Sequence, residues 1–182
     1  TVLEDGVLVQ IISVIAIALI VGLIFRSISV PIVLVLVIQT AIWVNFAVPY
    51  FLDKNLSYIG YLVVSSLQLG ATIDYAVLLS SRYMEFREEG LEKKEAISKA
   101  LEKSATTILV SCFVLAAAGI VEMLMSDVDS VRDMGELIGR GVLLSGLMVL
   151  VTLPALLVLL DKPLQALTFR KKKKEEKVWK RE

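Results

Sequence analysis

Residues 58–81 read YIGYLVVSSLQLGATIDYAVLLSS, a membrane-length run that contains a single charged side chain, Asp74. A spanning helix needs about 20 apolar residues, and an ionisable group inside such a helix is costly to bury. The carboxyl must therefore be protonated, paired with another group, or open to a water-filled cavity. Each option makes Asp74 a candidate for moving protons or ions, and Tyr75 adds a phenol beside it.

The composition is that of a membrane protein. Of the 182 residues, 57% are apolar, and the formal net charge is +0. The chain has no His and a single Cys, Cys112. An imidazole metal site, a His-activated nucleophile and an intramolecular disulfide are therefore excluded. We predict no metal and no cofactor, and we interpret Cys112 as a buried, unreactive thiol.

Five runs are long and apolar enough to span a membrane, which predicts an all-α, polytopic membrane bundle over residues 7–162. Residues 1–6 carry two acids and lead straight into the first run, so we expect them to be the extracytoplasmic end of a preceding domain. The chain would then be a fragment of a longer protein. Residues 163–182 form a basic tail. The predicted spans are residues 7–25, 30–48, 58–81, 105–125 and 137–160.

Positive charge alternates between the two sides of the predicted bundle. Arg26 lies in the first connection, and Lys and Arg are frequent in the third connection, residues 82–104. Because positively charged loops stay cytoplasmic, we predict a multi-pass cell-membrane protein with its N-terminus outside and its C-terminus in the cytoplasm. The Lys171–Lys174 run would anchor this topology or bind anionic lipid. It has no interleaved aromatic residues, so no nucleic-acid partner is predicted.

A short amphipathic helix is predicted over about residues 91–103. Leu91, Ile97 and Leu101 fall on roughly one helical face, while charged side chains occupy the rest of the surface. Such a helix fits the cytoplasmic surface of the membrane. It would either couple the neighbouring spans mechanically or simply connect them.

Helix geometry predicts how deep Asp74 lies in its span and indicates that its partners lie on other helices. At 1.5 Å per residue the carboxyl lies about 24 Å from the start of its span, and Tyr75 points about 100° away from it. The two side chains therefore require partners on other helices. The neighbouring Thr72 and three hydroxyls of similar depth on the fourth span are candidates, but none supplies a counter-charge, and they are too few to favour Na⁺ over a proton. These three hydroxyls belong to Thr106, Thr107 and Ser111.

Small residues predict close helix packing at two places. Ser66 and Gly70 precede Asp74 on nearly the same face, at four-residue spacing, and small residues allow backbones to approach. Several more lie along the fifth span, where Arg140 is near enough to one end for its side chain to extend to the membrane surface. These further small residues are Gly135, Gly139, Gly141, Ser145 and Gly146.

Residues 70–90, GATIDYAVLLSSRYMEFREEG, resemble the MMPL (mycobacterial membrane protein large) family of the resistance–nodulation–division (RND) exporter superfamily. The resemblance covers most of residues 5–162. Further agreement comes from Phe25-Arg26-Ser27 followed by Pro31, from residues 96–104 before the Thr-rich start of the fourth span, and from residues 153–157, LPALL.

This resemblance implies that each half of the parent protein has one helix, a large external domain and five further helices. The chain would be the last five helices of one half, and its lysine tail favours the C-terminal half. In the family, Asp-Tyr pairs of the two halves face each other and carry the proton. Asp74 and Tyr75 match that motif, which implies a proton relay. The resemblance also implies the bacterial inner membrane as the location, and membrane lipids and the other half with the external domain as partners. Because no counter-charge for Asp74 is found at its depth in this sequence, a second copy in a homo-oligomer is the alternative partner.

The sequence therefore favours the membrane-helix portion of an exporter of lipids or other hydrophobic compounds, driven by the proton-motive force and not an enzyme. The alternative is a lipid- or sterol-sensing module that binds without pumping, as the resemblance to the sterol-sensing bundle of related proteins would allow. An intramembrane aspartyl protease would need two carboxylates sharing one site, and only Asp74 lies deep. A passive scaffold would lose nothing when Asp74 is replaced.

Overall fold

The computed structural model describes residues 2–25, 27–51, 58–161 and 164. The basic tail and its Lys171–Lys174 run lie outside these described residues. All five elements are α-helices, and each is long and apolar enough to cross a membrane. The prediction of an all-α structure with five membrane-length helices is confirmed. The helices are α1 (Val2–Phe25), α2 (Ser29–Phe51), α3 (Tyr58–Glu88), α4 (Lys93–Met125) and α5 (Asp129–Leu159).

The predicted surface helix is not a separate element, and this part of the prediction is corrected. Residues 93–103 are the first turns of α4, which continues without a break to Met125. The reason is that residues 91–118 contain no Pro or Gly that would end a helix. Ala96, Ala100 and Ser104 are buried at four-residue spacing, and Ile108 extends the same buried stripe into the apolar half.

The turn between α3 and α4 depends on a glycine. Gly90 has a φ of 94°, in the left-handed region that residues with a side chain rarely adopt. Its N–H donates to the Arg87 carbonyl at 3.2 Å, and the Leu91 N–H donates to the Phe86 carbonyl at 3.2 Å. This pair of hydrogen bonds is a Schellman motif, which ends α3 and satisfies two of its last carbonyl groups.

Helix α5 lies at the centre of the packing and contacts α2, α3 and α4, while α1 lies at the periphery. Its closest neighbour is α4, where glycines allow the two backbones to touch. A Cβ atom added at Gly119 would lie 2.7 Å from the Gly139 nitrogen and 2.8 Å from the Gly135 carbonyl oxygen. The predicted packing role of Gly135 and Gly139 is therefore confirmed.

Large apolar side chains cover the outside of the bundle. Leu19 and Leu23 on α1, and Phe113 and Leu124 on α4, are all mostly exposed. An apolar outer surface of this extent is the surface that a lipid bilayer or another protein would cover. It agrees with helices that cross a membrane.

Candidate functional site

Helix α3 carries Asp74 and Tyr75 near its middle. Asp74 lies about 24 Å from the start of the helix and about 21 Å from its end at 1.5 Å per residue. Tyr75 is 8% exposed and belongs to the core, whereas Asp74 is exposed on the surface of the bundle. The five described helices therefore do not bury the carboxyl by themselves. The environment of the Asp74 carboxyl therefore depends on what covers this face of α3.

A cleft of about 530 Å³ opens between α3 and α4 at the level of Asp74. Asp74 and Tyr75 line it from α3, and the hydroxyl-bearing Thr107 and Ser111 line it from α4. Apolar residues form the remaining wall. The cleft thus brings the adjacent Asp74 and Tyr75 together with two hydroxyls that the sequence links to them only by their similar depth.

Two predicted supporting hydroxyls lie elsewhere. Thr72 is buried on another face of α3 and donates a hydrogen bond to the Gln68 carbonyl of its own helix at 2.6 Å. Thr106 is exposed and does not line the cleft. The prediction had the right depth for Thr106. One residue step turns the side chain by about 100°, so only its neighbour Thr107 faces the cleft.

Ser66 and Gly70 share the exposed face of α3 with Asp74, and none of the described helices α1, α2, α4 and α5 packs on them. Both are exposed, and a Cβ atom added at Gly70 would meet nothing within 4 Å. The close approach predicted here is therefore not made between the helices that the structure describes. Among the described residues, no ion pair involves Asp74 either.

A buried polar network, which the sequence analysis missed, ties α2, α3 and α5 together. The Asn45 amide donates to Gln68 Oε1 at 2.9 Å and to the Leu137 carbonyl at 3.0 Å. The Gln68 amide donates to the Ser145 hydroxyl at 2.9 Å and to the Gly141 carbonyl at 3.2 Å. Gly141 makes room for the network, since a Cβ atom there would lie 2.8 Å from Gln68 Oε1. The sequence signal for this network is the presence of polar, uncharged residues inside apolar spans.

Arg140 extends this network, so the prediction that it reaches for the membrane surface is incomplete. Its Nε donates to Asn45 Oδ1 at 3.1 Å, and its Nη2 donates to the Asn45 carbonyl at 3.3 Å. Its Nη1 lies 3.3 Å from Glu136 Oε1, one turn earlier on α5. The guanidinium is thus held by another helix as well as by its own.

A second network, also missed, joins the end of α3 to the residues that follow α5. Arg87 donates from Nε to Asp161 Oδ1 at 2.9 Å and from Nη2 to Asp161 Oδ2 at 2.7 Å. The Tyr83 hydroxyl donates to Asp161 Oδ1 at 2.6 Å. Because Arg87 and Asp161 are 74 positions apart, no local pattern in the sequence links them.

The structure shows no candidate metal site in the part of the chain that it describes. That part contains no group of three or more His, Cys, Asp or Glu side chains that could hold a metal ion. The polar groups at the Asp74 cleft are one carboxyl, one phenol and two hydroxyls. Such a set can bind and release a proton and can donate and accept hydrogen bonds.

Five membrane-length helices with an acid and a phenol side by side at mid-helix define an integral membrane protein with an ionisable site inside its spanning region. The chain belongs to the MMPL family, whose model matches residues 2–182. This confirms the family that residues 70–90 predicted. The family consists of transport proteins.

The curated relatives agree with this family. The putative membrane protein SCO0839 of Streptomyces coelicolor is 32% identical over 162 residues, which are 87% of this chain and 23% of that protein. The sulfolipid-1 exporter MmpL8 of Mycobacterium tuberculosis is 30% identical over 96 residues, 53% of this chain and 9% of that protein. The probable trehalose monomycolate exporter MmpL3 of Mycobacterium leprae is 30% identical over 108 residues, 59% of this chain and 11% of that protein. The chain thus spans less than a quarter of the length of each.

Proposed function

We propose that this chain is the membrane-helix portion of an exporter of lipids or other hydrophobic compounds, driven by the proton-motive force, in which Asp74 carries the proton. The observation that carries the proposal is the position of Asp74 at the middle of a membrane-length helix, in a cleft with Tyr75, Thr107 and Ser111. Membership of a transporter family supports the export function. Two relatives named as lipid exporters support the substrate class.

Asp74 would work by changing its charge. A carboxyl that is withdrawn from water favours its neutral form, and a nearby hydrogen-bond donor favours the charged form. Alternation between a wetter and a drier arrangement of the cleft would therefore load and release a proton. The hydroxyls of Thr107 and Ser111 would donate hydrogen bonds to the carboxylate of Asp74. Tyr75, which points about 100° away from Asp74, would donate a hydrogen bond to a facing acid of the other half.

The open face of α3 supports the idea that another half of the transporter completes the site. Ser66, Gly70 and Asp74 lie along this face, and none of the five helices covers it. Small residues let a partner backbone come close in a membrane. A carboxyl left facing hydrocarbon would be costly, so a protein partner or a water-filled cavity must meet it.

The orientation follows from the charge of the connections. Arg82, Arg87, Lys93 and Lys94 lie where α3 ends and α4 begins. Positively charged connections stay cytoplasmic, so this end of the bundle faces the cytoplasm and the start of α1 faces outward. A change of helix arrangement on protonation would be transmitted toward an external domain that precedes α1. Protonation can shift the equilibrium between two helix arrangements only by the difference between their proton-binding free energies.

Export by the complete protein, reconstituted in lipid vesicles with an imposed proton gradient, tests the proposal. Asp74→Asn keeps the shape of the side chain and removes its titration, so we expect gradient-driven export to stop. The matched control is Asp127→Asn, because Asp127 is exposed in the connection between α4 and α5. Unchanged gradient-driven export by the Asp74→Asn protein would contradict the mechanism and favour the sensing module.

A second arm of the same experiment decides which ion is coupled. The vesicles are loaded so that either a proton gradient or a sodium gradient is present alone. We expect export with the proton gradient only, because one carboxyl with a few hydroxyls provides fewer oxygens than Na⁺ requires. Export that follows the sodium gradient would overturn the proton assignment while leaving Asp74 in the site.

A further inference from the structure

Three residues outside the cleft fix helix α3 against the region that follows α5. We propose that Tyr83, Arg87 and Asp161, here called the α3–α5 clamp, are positioning residues that set the depth and rotation of Asp74. This inference rests on the proposed function. It assigns a role in transport to residues that do not touch the proton.

The hydrogen bonds of the α3–α5 clamp restrict the relative position of the groups they join. The two parallel hydrogen bonds from Arg87 to Asp161, at 2.9 and 2.7 Å, form a bidentate pair that tolerates little sliding or rotation. Tyr83, fully buried, adds a third hydrogen bond to the same carboxylate at 2.6 Å. Apolar contacts between helices would permit small shifts that this arrangement resists.

The clamp also holds the turn into α4. Arg87 Nη1 donates to the Leu91 carbonyl at 2.6 Å, just beyond the Gly90 turn. One side chain therefore joins the end of α3, the start of the next connection and the segment after α5. The cleft that contains Asp74 is made of α3 and α4, so the clamp fixes one of its walls at the end where the two helices meet.

Asp74 and Tyr83 lie on opposite sides of α3. They are nine residues apart, which is about 180° of rotation and about 13 Å along the axis. Holding Tyr83 toward Asp161 therefore turns Asp74 away from α5. The Asn45–Gln68 network holds the same helix on the other side of Asp74 along the axis, about 9 Å away. Asp74 thus lies, along the axis of α3, between two sets of hydrogen bonds that hold this helix to its neighbours.

Burial separates the clamp from ordinary surface ion pairs. The side chains of Arg87 and Asp161 are 19% and 10% exposed, whereas those of Arg82 and Glu85, one turn away on the same helix, are 44% and 52% exposed. Exposed pairs contribute little, but loss of one partner from a buried pair leaves an uncompensated charge. Arg82→Gln is therefore a matched control for Arg87→Gln.

The test measures export by the complete protein as a function of pH, normalised to the amount of folded protein in the membrane. For Arg87→Gln and Asp161→Asn we expect at least a tenfold loss of export and a shift of the pH midpoint of export, because the hydrogen bonds that hold α3 in position are lost. Arg82→Gln should change neither. The double variant Arg87→Gln/Asp161→Asn should recover part of the export, since amide groups can still hydrogen-bond and no charge is left buried.

A purely structural role would lower the amount of folded protein but leave export per folded molecule and the pH midpoint unchanged, and that result overturns the inference. If the single variants do not fold, Tyr83→Phe removes one hydroxyl only and must still move the midpoint. Asp74→Asn is measured in parallel. If it stops export while every folded clamp variant behaves like the wild type, the clamp fails and the proposed function stands. If Asp74→Asn exports normally, the proposed function itself fails.

Discussion

Gly119 of α4 and Gly139 of α5 meet backbone to backbone: a Cβ atom added at Gly119 would lie 2.7 Å from the Gly139 nitrogen. Side-chain contacts elsewhere in the bundle can adjust by changing rotamer, but a backbone atom cannot move alone. The α4–α5 contact at Gly119 therefore tolerates little added volume.

A methyl group at this contact should destabilise the bundle. We expect Gly119→Ala to force α4 and α5 apart and to cost about 1–3 kcal/mol, the usual cost of overpacking. The measurement is unfolding of the purified protein in mixed detergent micelles. Gly70→Ala is the control, because its new methyl meets nothing within 4 Å, and equal stability of the two variants would contradict the packing.

The buried amide of Gln68 should matter more than a hydroxyl at the surface. Gln68→Leu leaves Asn45 and Ser145 without one hydrogen-bond partner each, and an unsatisfied buried polar group costs about 1–3 kcal/mol. The same unfolding measurement checks this. Thr40→Val is the control, since Thr40 donates to Leu36 of its own helix at an exposed position. A Gln68→Leu protein as stable as Thr40→Val would mean that the network contributes nothing net.

Two adjacent threonines offer a test of the cleft. We expect Thr107→Val to lower proton-driven export about three- to tenfold, because one hydrogen bond is worth about 1 kcal/mol and Thr107 lines the cleft with Asp74. Thr106→Val should leave export unchanged, because Thr106 does not line the cleft, although both threonines are exposed. The result that speaks against the cleft is equal export by the two variants in vesicles.

A bulky residue on the open face of α3 should block the partner and not the fold. Gly70→Leu adds a side chain where this chain leaves open space, so the stability of the bundle should change little. Export by the complete protein should fall at least tenfold if another half packs there. Ala16→Leu, at an exposed position of α1, supplies the control. Normal export by the Gly70→Leu protein would show that no partner needs this face.

Hydropathy made the five spans predictable, because each is a long apolar run. It did not predict the ends. Residues 93–103 were separated from the fourth span since their composition turns polar there, yet polarity marks where a helix leaves the hydrocarbon and not where its backbone hydrogen bonds stop. The buried stripe through Ala96, Ala100 and Ser104 was the better guide.

At the site, sequence reasoning found what one helix determines. The charge of Asp74 marks it in the sequence, and depth along a helix points to Thr107 and Ser111, which line the same cleft in the structure. Depth alone could not separate Thr107 from Thr106, because that needs the direction in which α4 faces. The Arg87–Asp161 ion pair could not be predicted from the sequence for a different reason. The two residues meet only because α3 and α5 pack side by side.

The unbroken course of α4 has a mechanical consequence. Its 33 residues form a rod about 50 Å long, whereas the hydrocarbon of a bilayer is about 30 Å thick. About 20 Å of rigid helix therefore extends beyond the hydrocarbon, and a tilt of about 10° would swing one tip by about 9 Å relative to the other. Small rearrangements beside Ser111 would thus be magnified at the tips of this lever arm.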